Sequence, residues 1–222
     1  MKRFGILLAM LALSSLACVT LLGQPSQSPD QAPAGQATNP PSEGQAPSQP
    51  PVIQLPNLTG VQLGDEVRDE RCGYSFRKIP GYQYDQSMPG FDYMTAPGAA
   101  QDTGPSIYIS CGKPATSNLD EWIKQATTNT SGTPEANPLT YSNRKNIIIG
   151  GVNGVSMDIE GSGQGGIVAK GREVAAMVTP QRVVFMIGMA RSDKWDETGA
   201  YFEAVVNSIT FFEPTITPTA NP

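Results

Sequence analysis

Arg182-Val-Val-Phe-Met-Ile-Gly-Met-Ala190 carries no polar side chain after its first residue. A strand sends alternate residues to opposite faces, so an apolar run of this length needs cover on both sides. It reads as the central strand of a sheet with one layer above it and another below.

The neighbouring sequence supplies strands to flank it. Upstream, Glu173-Val-Ala-Ala-Met-Val178 and Ile167-Val-Ala-Lys170 are short strand candidates, and Gly154-Val-Ser-Met-Asp-Ile-Glu160 and Asn146-Ile-Ile-Ile149 flank the turn-rich Gly150–Gly154. Further back, Ser106-Ile-Tyr-Ile-Ser-Cys111 alternates with Ile107, Ile109 and Cys111 on one face. Phe91-Asp-Tyr-Met94 and Cys72-Gly-Tyr-Ser-Phe-Arg77 are two more strands of the same kind.

Two helices supply the cover. Leu119, Trp122, Ile123 and Ala126 recur at helical spacing, and Ser117-Asn-Leu-Asp120 before them has the spacing of a capping box. Trp195, Phe202, Val205, Val206 and Ile209 form a second apolar face, with Ser192 and Asp193 as its expected cap. Thr210-Phe-Phe212 closes as a short strand. The order predicts an α+β fold, a mainly antiparallel sheet sandwiched by helices.

Gly73-Tyr-Ser-Phe-Arg-Lys-Ile-Pro80 and Phe202-Glu-Ala-Val-Val-Asn-Ser-Ile-Thr-Phe211, one at each end of this region, resemble the PsbP-like family. That family includes the photosystem II extrinsic subunit, a Ran-binding protein and many bacterial lipoproteins. The resemblance implies an α/β/α sandwich and a binding or assembly role without catalysis. It transfers no functional residue, because the metal sites of the photosynthetic branch use histidine.

This chain has no histidine among its 222 residues. The Ser-His and Cys-His pairs are therefore excluded, as is histidine-ligated zinc, copper or haem. Three cysteines are too few for a four-cysteine metal site. No catalytic residue, metal ligand or cofactor site is assigned. The net charge of -5 becomes -7 once Lys2 and Arg3 are removed, since 13 basic residues then face 20 acidic ones. Nucleic acid is not an expected partner for such a surface, nor are anionic lipid head groups.

Lys2 and Arg3 precede an apolar run, Phe4–Leu16, that ends in Ser15-Leu16-Ala17-Cys18. This is the layout of an export signal covering residues 1–17. Cys18 after Ala17 resembles the lipobox of bacterial lipoproteins, although Ser15 stands where leucine is commonest. The resemblance makes Cys18 the lipidated residue and places the protein on the bacterial cell surface or the outer face of the cytoplasmic membrane. Two alternatives stand: an uncleaved helix over Phe4–Gly23, long enough to span a bilayer, and free secretion.

Residues 18–56 form the expected tether. From Gln24 to Pro56 there are nine prolines and seven glutamines, with no aromatic or basic residue. Such a segment has too little apolar surface to fold and favours polyproline II, with a reach of up to roughly 100 Å at about 3.1 Å per residue. The folded domain is expected at 57–213 and a short tail at 214–222.

Cys72 and Cys111 each fall on the apolar face of a strand. With Cys18 lipidated, the remaining two can pair outside the cytoplasm, and a structural disulfide is the expectation. Two separate buried thiols are the alternative. Asp158 and Glu160 share a strand face, and Asp65, Glu66, Asp69 and Glu70 cluster before the first strand, with Arg68 and Arg71 among them. These acids read as solvated charge, since no calcium-loop spacing is present. The glycines at 161, 163, 165 and 166 lack a following Gly-Lys-Ser/Thr and read as a hairpin connection rather than a phosphate cradle. Trp122 and Trp195 read as core. Asn57 and Asn129 begin glycosylation sequons, which carry little meaning in a bacterium.

The expected role is a surface-displayed binding or assembly module with an envelope protein as partner, held to the membrane through its lipid anchor. A small-ligand or glycan-binding lipoprotein is the alternative, and a carboxylate-based hydrolase is the third reading. Replacing Cys18 with alanine should release the protein from membranes into the soluble fraction. Retention on membranes with an intact N-terminus would instead identify a helix anchor.

Overall fold

In the computed structural model, the apolar run 182–190 becomes β9 (Arg182–Arg191), the middle strand of a seven-stranded sheet. The structure describes residues 60–99, 104–131, 139–162 and 167–215. The export signal, Cys18, the tether, Asn57, the loop at 132–138, the glycines at 163–166 and the tail beyond 215 lie outside the described residues.

The strands in chain order are β1 (Glu66–Asp69), β2 (Tyr74–Arg77), β3 (Gln83–Met88), β4 (Phe91–Thr95) and β5 (Ser106–Gly112). After helix α1 (Leu119–Ser131) come β6 (Thr140–Ile149), β7 (Val152–Ser162), β8 (Val168–Thr179) and β9. Helix α2 (Trp195–Ser208) and β10 (Thr210–Phe211) end the fold. The large sheet runs β3-β4-β5-β9-β8-β7-β6, and a small one runs β1-β2-β10. Every pairing in both sheets is antiparallel. This is the α+β class expected from the sequence, with the small second sheet as an addition.

The main core lies on one face of the large sheet. Val184 and Met186 of β9 meet Ile107 and Ile109 of β5, Val174 of β8, and Tyr74 and Phe76 of β2. Phe202, Val205 and Val206 of α2 complete the layer. Gly188 lets α2 come close: a Cβ there would lie 2.5 Å from the Phe202 ring, so the absent side chain is filled by the aromatic. The opposite face carries a smaller cluster of Val155, Met157 and Ile123, with Leu119, Trp122 and Tyr141 against it. Helix α1 covers that face, with Trp122 packed on Phe185 at 5.9 Å between ring centroids.

Both expected caps are corrected. Asn118, not Ser117, caps α1: its Oδ1 accepts the amides of Asp120 and Glu121 at 2.9 and 3.1 Å. Asn118 sits one position before the first helical residue, where a side-chain oxygen reaches the unpaired amides of the first turn. Helix α2 begins after Lys194, whose ammonium can only donate, so its first-turn amides receive no side-chain cap bond; Asp193, one position too early, accepts from Arg191 Nε at 3.1 Å. At the end of the described residues, the Thr215 amide donates to Glu70 O and its hydroxyl donates to the Glu70 carboxylate.

Cys72 and Cys111 are joined by a disulfide with 5.7 Å between their Cα atoms, closing a sequence separation of 39 residues. The bond fastens the start of β2 to β5, and therefore the small sheet to the large one. Gly90, at φ +76°, passes over it where a Cβ would stand 3.3 Å from Cys72 Sγ. Reducing the bond, or replacing both cysteines with serine, should lower stability by about 2–4 kcal/mol in denaturant titration. Intact mass before and after reduction and unfolding should differ by about two daltons for the pair of hydrogens gained.

Candidate functional site

The domain carries at least two open grooves lined by described residues. The larger, about 420 Å³, runs between α1 and the β6–β7 edge of the sheet. Its floor is Ile123 and Met157, its walls include Tyr141 and Thr127, and Asp120, Lys124, Asn143 and Arg144 line its rim. The rim exists because β6 bulges between Ser142 and Lys145, with Asn143 at φ +50°. Asparagine tolerates that left-handed backbone better than most residues. The bulge turns Asn143 toward Asp158, to which its Nδ2 donates at 2.9 Å, and sets Arg144 in an ion pair with Asp120.

The second groove, about 270 Å³, lies along α2 and is lined by Arg172, Trp195, Asp196, Gly199, Ala200 and Glu203. Arg172 projects from β8 between two carboxylates. Its Nε donates to Asp158 Oδ1 at 2.9 Å and its Nη1 pairs with Glu203. Burial pushes the Asp158 carboxyl up, but the hydrogen bonds from Asn143 and Arg172 and the guanidinium charge outweigh it and hold Asp158 below the ordinary carboxylate range.

The acids flagged in the sequence separate into different environments. Glu160 is exposed on β7, whereas Asp158 on the same strand is held by Arg172. The cluster at 65–70 does not precede the first strand; Glu66–Asp69 is itself β1. Asp65 pairs with Lys78 at 3.9 Å and Glu70 with Arg68 at 3.0 Å, so most of the cluster is solvated and locally neutralised.

Asp69 is the exception. It is buried, and its Oδ1 accepts the amides of Arg71 and Cys72 at 2.9 and 2.8 Å. Nearby, the buried Asp92 of β4 accepts from Tyr74 Oη and Tyr84 Oη, each at 2.5 Å. Burial raises the Asp92 carboxyl, opposed by those two hydrogen bonds and assisted by the charge of Asp69. Burial also raises both phenols, with the Asp92 carboxylate adding to it. Asp92 was not singled out in the sequence: Phe91-Asp-Tyr-Met94 gives no sign that its one acid faces inward. Its inward phase follows from Met94, two residues on, which also points to the core.

The glycine-rich stretch connects antiparallel strands, since Ser162 pairs with Val168. Trp122 packs on Phe185, and Trp195 contacts Phe202 while walling the second groove. Among the described residues, no three acidic or cysteine side chains gather closely enough to hold a metal ion. Among the same residues, no helix is long and apolar enough to cross a membrane.

A seven-stranded antiparallel sheet with α2 and a small sheet on one face and α1 on the other defines an α+β sandwich. No family model matches the sequence, and no curated protein matches it. Among solved structures, the chain is similar to cyanobacterial PsbP (CyanoP) from Synechocystis, with a TM-score of 0.50 and 14% identity over 71% of this chain and 99% of that one. It also resembles LpqN of Mycobacterium tuberculosis, involved in cell envelope biogenesis, with a TM-score of 0.49 and 13% identity over 66% of this chain and 84% of that one. A further similar structure is the Saccharomyces cerevisiae Ran-binding protein Mog1p, with a TM-score of 0.47 and 9% identity over 68% of this chain and 96% of that one. The fold is PsbP-like, as the two terminal motifs implied; at these identities the likeness concerns the fold alone.

Arg172→Ala should lower stability by about 2 kcal/mol, because it leaves Asp158 and Glu203 facing each other half-buried without their shared cation. Since Asp158 lies below its ordinary 3.8 in the folded state, its contribution is complete above about pH 4 and is lost as acid protonates it. Denaturant titrations at pH 7 and pH 3 should show the difference between wild type and variant shrinking at the lower pH.

Proposed function

We propose that the protein is a non-catalytic binding or assembly module of the cell envelope, carried on the Pro-rich tether at 18–56 and anchored through lipid on Cys18. The observation that carries the reading is the separation of grooves from reactive groups. Asp92 and Glu173, the described carboxyls that burial holds above their ordinary range, line neither groove. The charged residues that do line them are largely spoken for, Arg144 by Asp120 and Arg172 by Asp158 and Glu203. General acid–base catalysis needs a poised group within hydrogen-bond reach of substrate, and this arrangement seals its poised groups away. The PsbP-like fold agrees with such a role by analogy only.

A second reading has one observation in its favour. The groove between α1 and β6 has the size of a small-ligand site and combines an apolar floor with Tyr141, Asn143 and Lys124 at its walls and rim. A small polar ligand would fit that chemistry. The carboxylate-hydrolase reading is the weakest, because the neighbouring acids Asp69 and Asp92 are fixed by amide and phenol donors inside the packing.

Crosslinking in the native envelope, followed by affinity capture of the tethered domain and mass spectrometry, tests the first reading. A reproducible protein partner, lost when residues 57–213 are deleted and the tether kept, is the expected result. Absence of any partner above background would overturn it and move the question to ligands of the α1 groove.

A further inference from the structure

Glu173 is placed where a carboxyl is least expected. It lies on β8 with only 4% of its surface exposed. Among the described residues no side chain hydrogen-bonds or ion-pairs with it, whereas the other buried acids, Asp69 and Asp92, are both held by donors. Buried polar groups without partners are rare, and each calls for a physical account.

The strand register fixes its surroundings. Glu173 stands opposite Met157 of β7 on one side and Ile187 of β9 on the other. Its diagonal neighbours on the same face are Val155, Ile159, Phe185 and Met189, by strand alternation. Helix α1 bridges these strands: Trp122 packs on Phe185 of β9, and Ile123 packs with Val155 and Met157 of β7. Since β8 runs between β9 and β7, α1 crosses it beside Glu173.

No cation faces the carboxyl from any of these elements. The charged residues at the start of α1, Asp120, Glu121 and Lys124, are exposed. Asp158 and Glu160 on β7, and Lys170 and Arg172 on β8 itself, occupy alternate positions and face the other way, Asp158 and Arg172 toward Glu203 of α2. Arg191 shares the face but sits at the strand end, exposed and paired with Asp193. Arg144 at the β6 bulge is taken by Asp120. The other titratable groups on this face are the phenols of Tyr93 on β4, Tyr108 on β5 and Tyr141 on β6, with the exposed Asp85 farther off on the β3 edge.

We propose that α1 is an acid-latched cover: neutral Glu173 lets the helix rest on the sheet, and ionisation of Glu173 loosens it and uncovers the Val155–Met157–Phe185 surface. The attachment is suited to such control, because α1 is held by the small satellite cluster and not by the main core. Elements with few buried apolar contacts are the ones that open first.

The direction follows from burial, which is the sole cause of the shift and pushes the Glu173 carboxyl up to about 7 from an ordinary 4.5. With the helix off, the carboxyl is solvated and regains an ordinary affinity for protons. The latch is therefore complete below about pH 4.5, weakens as pH rises toward 7, and has no more to lose above that. In this window the opening equilibrium of α1 should rise about tenfold per pH unit.

Hydrogen exchange on the full-length protein in detergent, from pH 5 to pH 8.5 and corrected for intrinsic exchange rates, reads this directly. Peptides covering 119–131 should lose protection about tenfold per unit up to pH 7 and level off above it, while β5 and β9 keep theirs. In Glu173→Gln, which is neutral at every pH, the protection of α1 should not follow pH. A wild-type α1 whose protection ignores pH, or a variant with the same pH dependence as wild type, would overturn the proposal. Should the variant fail to fold, an NMR titration of the wild-type Glu173 carboxyl decides it. A midpoint near 7 supports the latch, and one near 4.5 rejects it.

Discussion

The two-sided burial of β9 is the constraint on which the rest of the molecule depends. Val184, Met186 and Gly188 face one way and Phe185, Ile187 and Met189 the other, so neither side of the sheet can be left to water. The chain meets the two demands unequally. On the first side, Phe202 fills the space over Gly188, and the small sheet adds Tyr74 and Phe76, giving one continuous core. On the second side a single helix supplies Leu119, Trp122 and Ile123, and the cluster it forms is separate and small. Helix α2 is tied into the core along its length; α1 rests on a few contacts.

The same asymmetry appears in how buried polar groups are treated. Asp69 and Asp92 sit where the small sheet meets the β3–β4 hairpin: Asp69 is held by the local amides of Arg71 and Cys72 and by Gln86 Nε2 of β3 at 3.4 Å, and Asp92 by Tyr74 from β2 and Tyr84 from β3. Beside them the Cys72–Cys111 bond makes a covalent connection across the same junction. A fully paired polar cluster next to a disulfide fixes the relative position of the two sheets, since sliding one past the other would strand buried acceptors. Glu173, under α1, has no such partners. The rigid side is stitched; the other side is held by apolar contact around an acid.

Most of this was legible where one face of an element was buried and the other was not. Phe91–Met94 and Ser106–Cys111 fall inside β4 and β5 because their alternation is clean, and the apolar spacing of 119–126 and 195–206 falls inside the two helices. What escaped has a physical reason in each case. Gln83-Tyr-Asp-Gln-Ser-Met88 forms β3, but as an edge strand it is exposed on nearly every residue and carries no hydrophobic period. Glu66–Asp69 is acidic because its small sheet has an outer face in water. Strand β6 begins at Thr140, seven residues before its isoleucine run at 147–149, since pairing with β7 continues past the bulge into polar sequence. The groove rim arises at that bulge and could not be foreseen, because the left-handed Asn143 has no signature beyond being asparagine. In the sequence Glu173 marks no more than the start of a strand. Only the register, with Met157 on one side and Ile187 on the other, reveals that its carboxyl points inward.

The character of the surface limits what kind of recognition the domain can offer. Its large exposed hydrophobics, Met88 and Val168, lie on β3 and β8 with β4, β5 and β9 between them, so they do not form one patch. Some of its exposed charges close into pairs, Arg68 with Glu70, Arg144 with Asp120 and Arg191 with Asp193, and others of both signs are scattered between them. Pairs of opposite charge cancel at a distance, and salt screens exposed charges beyond about 10 Å. A partner protein would therefore meet a polar, well-hydrated surface, the character of contacts that form and part repeatedly and not of permanent assemblies. In the proposed envelope role, anchoring would compensate for that weakness, because a domain confined near a membrane meets other membrane-bound proteins at a raised local concentration.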